Sequence, residues 1–182
     1  MGIVCVQWAL LEHLMLGLIS SAESSSLNKV YISYGGLDML PRIGMALKLA
    51  RFYGWPGPMI ARIEAIRKEV QGHGGLGERR NQLIHGVHKA SLSNSSVSLT
   101  MVRWGEPKRT QDVSIANIND LARRLGGLAY EAGSIFDDYG VWKFGANREE
   151  KSDKQLPKGK ASVWLKIAQD IKGAIKRLFG NL

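Results

Sequence analysis

A chain of 182 residues is long enough for one domain with a full hydrophobic core and too short for two large ones. Its 45% apolar and 23% charged residues are ordinary for a soluble globular protein, and its lone Cys5 excludes an internal disulfide. Nothing here argues for an oxidising compartment, so a cytoplasmic protein is expected. The net charge of +9 is uneven: residues 143–182 hold ten basic and four acidic side chains, against fifteen and twelve in the first 142. Basic character is therefore mostly a property of the tail. Such a tail suits nucleic acid, acidic protein or anionic membrane, and some basic tails serve solubility alone.

The first 22 residues are nearly all apolar. No basic residue precedes the run, as a signal peptide requires, and Gln7, Glu12 and His13 interrupt it where a membrane span needs about 20 apolar residues. A buried helix without a transmembrane role is expected. Glu12 and His13 then either support a site elsewhere or sit at the helix edge and reach solvent. Residues 20–36 read as loop with weak extended character. Apolar residues return at helical spacing from Leu37 to Tyr53, with Pro41 tolerable in a first turn. A third helix runs from Pro58 to Val70, with Ile60, Ile63, Ile66 and Val70 inward and Arg62, Arg67 and Lys68 outward.

A glycine-rich stretch (Gly72, Gly74, Gly75, Gly77) leads into a helix expected from Glu78 to about Lys89. No strand with a P-loop Lys-Ser/Thr pair frames these glycines, so their plainer role is a mobile connection, with His73 exposed in it. On a wheel of 3.6 residues per turn, Leu83, Ile84 and Val87 face a core, while Asn81, His85 and His88 fall within roughly 60° of one another opposite. Arg80 stands about 140° from His85 in a regular helix. The two share a target only if Arg80 lies in a loose first turn or meets the His85 of a second subunit.

Past this helix the period changes to two. Val97, Leu99 and Met101 alternate, Gly105 to Lys108 offers a turn, and Asp112 to Ile115 gives a second run, together a hairpin. Asn117 is expected to cap a long helix to Asp138 with Ile118, Leu121, Leu125, Leu128, Ala132 and Ile135 inward. Gly126-Gly127 weakens its middle by roughly 1 kcal/mol per residue, which implies close packing by another helix. The expected organisation is a helical domain over 1–142, a flexible basic linker over 143–160 and a basic amphipathic helix over 161–182. That last segment puts Trp164, Ile167, Ile171, Ile175 and Leu178 on one face and Lys166, Lys172, Lys176 and Arg177 elsewhere. It suits RNA or peripheral membrane contact, a docking partner, or packing on its own domain or a second subunit. No spacing of Cys and His suggests a zinc site.

Arg80-Asn81-Gln82-Leu83-Ile84-His85 resembles the Arg-Asn-x-x-x-His motif of the HEPN superfamily, small helical domains that include toxins and RNases. The order of elements from Gln7 to Tyr139 resembles its single-domain members. The resemblance implies a mainly α fold, a bundle of four to five helices with a small β-hairpin between the motif helix and the last bundle helix. It also implies a homodimer that pairs two motifs, and metal-independent RNA cleavage without a cofactor. His85 would act as acid/base, Arg80 as phosphate clamp and Asn81 as orienting group, with Glu12, Glu78 and His88 as supporting candidates. An imidazole titrates near neutral pH and a guanidinium grips two phosphate oxygens at once, so the residue types suit the chemistry. A toxin or defence role, with an antitoxin or other protein partner, follows by resemblance. The alternative is a non-catalytic module binding RNA, nucleotide or protein, in which Arg80 is a tether to Glu12 or Glu78 and Asn81 a helix cap.

Overall fold

A computed structural model describes residues 2–85, 87–91, 96–101 and 109–150, with side chains described for 2–85 and 113–143. Six helices and three strands follow one another among these residues. Helix α1 spans Gly2–Glu23, α2 Leu27–Tyr34, α3 Met39–Phe52, α4 Gly57–Val70 and α5 Leu76–His85. Strands β1 (Val87–Ser91), β2 (Ser96–Met101) and β3 (Arg109–Ser114) come next, and α6 (Ile115–Glu150) ends the described chain. The fold is mainly α, a helical bundle.

The apolar first segment is a buried helix, as its sequence predicts. By length and composition α1 could cross a membrane, and here eleven of its residues are buried, among them Leu11, Met15, Leu18 and Ile19. Burying each such side chain stabilises by about 1.5–3 kcal/mol. The rest of the core comes from Ile43 and Leu47 of α3, Ile63 and Ile66 of α4, Leu76 of α5, and Leu125, Ala132 and Ile135 of α6.

Helix α2 falls where a loop is expected. Ser26 is its N-cap, its hydroxyl accepting from Lys29 N at 3.4 Å, which satisfies one of the orphan donors of a helix start. Only Val30 of α2 is buried, so no apolar stripe marks it in the sequence. Arg42 on α3 then ties the turn between α2 and α3, donating from Nη2 to Gly35 O at 2.9 Å and Leu37 O at 2.6 Å.

Helix α6 lies beside α1. A Cβ built on Gly126 would meet Gln7 at 3.4 Å and one on Gly17 would meet Phe136 at 3.7 Å. The two contacts are ten residues apart on each helix and in the same order, so α1 and α6 run parallel. The expected close packing at Gly126 is thus supplied by the buried Gln7. Arg62 pairs with Glu131 and Arg124 with Glu69, so α4 runs antiparallel to α6.

Beyond α2, three further expectations are corrected. The cap of α6 is Ser114: its Oγ accepts from Asn117 N at 3.1 Å, and Asn117 Oδ1 accepts from Ser114 N at 3.0 Å. This reciprocal pair is a capping box, in which Asn117 takes the third helical place rather than the cap. At its other end α6 continues to Glu150, so residues 143–150 are helical rather than linker; Ala146, Arg148, Glu149 and Glu150 are tolerant of or favour helix. Residues 151–182, including the rest of the expected linker and the whole amphipathic segment, lie outside the described residues.

The third correction concerns the motif helix. It stops at His85, and Val87 to Ser91 is a strand. The expected hairpin is present as β2 paired antiparallel with β3, Ser96 opposite Ser114 and Met101 opposite Arg109. To it β1 adds a third strand, Val87 opposite Thr100 and His88 opposite Leu99, giving the order β1-β2-β3. Val87 and His88 thus leave the helical face assigned to them, because cross-strand bonds to residues 96–100 satisfy this backbone.

The chain divides into two units, Met1–Phe136 and Asp137–Leu182. In the second, the Tyr139 and Trp142 rings lie 5.7 Å apart and Lys143 Nζ lies 5.3 Å from the Tyr139 ring.

Candidate functional site

The glycine stretch is a defined turn that sets where α5 starts. Gly72 and Gly74 have φ of +100° and +76°, in the left-handed region open to glycine. At Gly75 a Cβ would stand 2.6 Å from Gln71 O, so a side chain cannot fit without moving backbone. Gly75 N donates to Gly72 O at 3.1 Å, and Arg79 N donates back to Gly75 O at 3.0 Å to begin the helix. Glu78 belongs to this turn: its Oε2 accepts from Gly74 N at 2.6 Å, with His73 Nδ1 at 3.3 Å, and its Oε1 accepts from Gln82 Nε2 at 3.2 Å.

Two further contacts fix the helix laterally. Arg79 reaches Asp120 of α6 at 3.4 Å, and Arg123 donates to the same carboxylate at 2.9 Å. The hydrogen bond from Arg123, with those from Arg79, holds the Asp120 carboxyl below its ordinary value. At the first turn of α5, a Cβ on Gly77 would lie 3.5 Å from the tip of Trp8. The indole of α1 therefore packs against the start of the motif helix.

Arg80 lies over that indole, its Cζ 5.2 Å from the ring centroid. Its Nη1 donates to Asn81 Oδ1 at 2.9 Å, while its Nε is buried with no hydrogen-bond partner. Stacking a guanidinium on an indole stabilises by about 0.5–2 kcal/mol, and an unsatisfied buried donor costs about 1–3 kcal/mol. The terms are similar in size and opposite in sign, so the arrangement adds little to stability. Asn81 and His85 are exposed one turn apart on α5, and Arg80 is half-buried.

Of the residues singled out by sequence, the fold brings Arg80 and Asn81 into direct contact. His85 closes the same helix. Glu12 enters through an intermediary: its Oε1 accepts from Trp8 Nε1 at 2.8 Å, and its Oε2 lies 3.9 Å from Arg42 Nη1. Neighbouring His13 faces elsewhere, its Nδ1 2.8 Å from Tyr31 Oη. Glu78 serves the glycine turn, as described. His88 is in β1, so the helical-wheel placement beside His85 does not hold. Lys166, Lys172, Lys176 and Arg177 lie outside the described residues. No group of three or more His, Cys, Asp and Glu is placed to hold a metal ion among the described residues.

Trp8 is the neighbour that sequence reading misses. The spacing of Trp8 and Glu12, four apart on one helix face, does suggest an indole-to-carboxylate bond. Nothing local links either residue to Arg80. No protein-family model matches the chain, and no curated protein or solved structure matches it either.

Proposed function

We propose that the chain is a metal-independent endoribonuclease of HEPN type, acting as a homodimer in the cytoplasm in a toxin or defence role. The observation that carries the reading is Arg80 held on Trp8 and bonded to Asn81, on the helix whose exposed last residue is His85. In this reading the RNA 2′-hydroxyl attacks the adjacent phosphorus, the 5′-oxygen leaves, and a 2′,3′-cyclic phosphate forms. His85 moves the proton, for which an imidazole is suited near neutral pH. Arg80 neutralises charge on the phosphoryl oxygens, and Asn81 holds the guanidinium. Cleavage needs a base at the 2′-oxygen and an acid at the leaving 5′-oxygen. Two copies pairing their α5 helices supply two imidazoles, which is why the dimer belongs to the proposal. An antitoxin-like protein and a membrane surface reached through residues 161–182 are further proposed partners.

The second reading is a non-catalytic dimeric module of the same kind, binding RNA, nucleotide or protein. It is favoured by one detail: Arg80 already has an internal acceptor in Asn81.

The test is cleavage of a labelled mixed RNA in EDTA by wild type, His85→Ala and Arg80→Ala, each checked for unchanged folding and dimerisation. The expected result is cutting by wild type to cyclic phosphate ends and a loss of about 10²- to 10⁴-fold in each variant. No cutting by wild type, with equal RNA binding by all three, moves the assignment to the binding module.

A further inference from the structure

Trp8 is no part of the motif, yet it lies under the motif's arginine. The contact extends back through a relay. Its indole N–H is taken by Glu12, Glu12 faces Arg42, and Arg42 is only 5% exposed and anchored on the carbonyls of Gly35 and Leu37. The hydrogen bond at the ring edge fixes the plane of the indole, and the first turn of α5 packs on its tip, a Cβ at Gly77 standing 3.5 Å from it. The ring face attracts the cation, and with Nε buried and Nη1 bonded to Asn81 the guanidinium is held in one orientation above it.

A guanidinium can grip two oxygens with its Nε and one Nη, or with its two Nη groups. In Arg80 the Nε is buried, which closes the first edge. Nη1 uses one of its hydrogens on Asn81. The second hydrogen of Nη1 and those of Nη2 remain. We propose that Trp8 is a positioning residue for Arg80, turning the guanidinium so that its Nη edge, and not its Nε edge, meets the RNA phosphate. This rests on the phosphate-binding reading of Arg80 given above. Leucine at position 8 fills an apolar site without offering a face for the cation, whereas phenylalanine keeps a face but gives up the bond to Glu12 and the outer ring carbons that reach Gly77.

The test uses the full chain as wild type, Trp8→Leu and Trp8→Phe, at a temperature where circular dichroism shows each folded. In ¹⁵N-labelled wild type, the Arg80 Nε–H resonance is expected to be shifted upfield by the ring and slow to exchange with water. Trp8→Phe retains both properties and Trp8→Leu loses them. In RNA cleavage, Trp8→Leu lowers kcat by about 10- to 100-fold, as a displaced reacting group does, with KM within about threefold. Trp8→Phe, which keeps a ring face without the bond that fixes it, falls between wild type and Trp8→Leu in kcat.

An Arg80 Nε–H of ordinary shift and fast exchange in wild type overturns the proposal, even if Trp8→Leu does not fold. So does a folded Trp8→Leu that cleaves at the wild-type kcat, or a folded Trp8→Phe that fails as badly as Trp8→Leu; in these cases the ribonuclease reading stands. A wild type with the held Arg80 signal that cuts no RNA overturns the ribonuclease reading and Trp8's part in it.

Discussion

Arg42 and Arg80 flank the same two side chains of α1, Trp8 and Glu12, and differ in where their donors point. Arg42 is 5% exposed and directs Nη2 at the carbonyls of Gly35 and Leu37, with Glu12 at 3.9 Å. Arg80 is half-buried, rests on the Trp8 ring and bonds only its sequence neighbour Asn81 among the hydrogen bonds described. Arg42 works as an internal strut: its charge is spent on backbone that would otherwise lack a donor. Arg80 is half-buried beside exposed Asn81, with only Nη1 bonded to it, and His85 lies further along the same helix. A buried arginine is therefore not in itself a sign of chemistry.

Replacing each arginine by Met breaks this comparison if the two behave alike. Arg42→Met leaves two carbonyls without a donor while also removing a buried, unpartnered Nε of its own, and is expected to lower unfolding free energy by about 2 kcal/mol. Arg80→Met removes a stacked cation and an unsatisfied donor together, so its stability changes by less than about 1 kcal/mol. Urea unfolding of the two variants checks both numbers.

The placement of Arg80 also depends on where α5 starts, which Gly75 decides. Gly75→Ala puts a Cβ against Gln71 O and is expected to cost about 1–2 kcal/mol, measured in the same way. On the proposed ribonuclease reading, cleavage falls with it at temperatures where the protein remains folded.

The smallest effect comes from Asp120, which holds Arg79 and Arg123. Its carboxyl is lowered by those hydrogen bonds, so it contributes stability above the ordinary carboxylate pKa of about 4 and loses it as pH falls through the lower, folded value. Unfolding midpoints of wild type and Asp120→Asn are thus expected to differ modestly at pH 7 and to converge on acidification below pH of about 4. A difference that persists in strong acid would assign the effect to packing instead.

Helices with a repeating apolar stripe are legible in the sequence: α3, α4 and most of α6 follow from the spacing of residues such as Leu47, Ile63 and Leu125, and α1 from a near-continuous apolar run broken by Gln7, Glu12 and His13. Helix α2 was not, since it buries Val30 alone and its Tyr31-Ile32-Ser33-Tyr34 run has the composition of a strand. The end of α5 was misread for the opposite reason. Leu83, Ile84 and Val87 keep a helical rhythm, while the bonds that make Val87 a strand residue come from Thr100, far outside any local window. In the site, Arg80, Asn81 and His85 could be picked out as a string of residue types. Their support could not, because Trp8 and Arg80 meet only after two helices from different parts of the chain have packed.

The parallel pairing of α1 with α6, fixed at Gln7 with Gly126 and at Gly17 with Phe136, has a consequence for synthesis. The partner of α1 leaves the ribosome roughly 120 residues after α1 itself, a delay on the order of ten seconds at about 5–20 residues per second. Throughout that interval the most apolar of the described helices lacks α6, and the side that Gly126 and Phe136 later occupy stays bare. A chain shortened ahead of residue 115 would therefore expose this face of α1 to solvent.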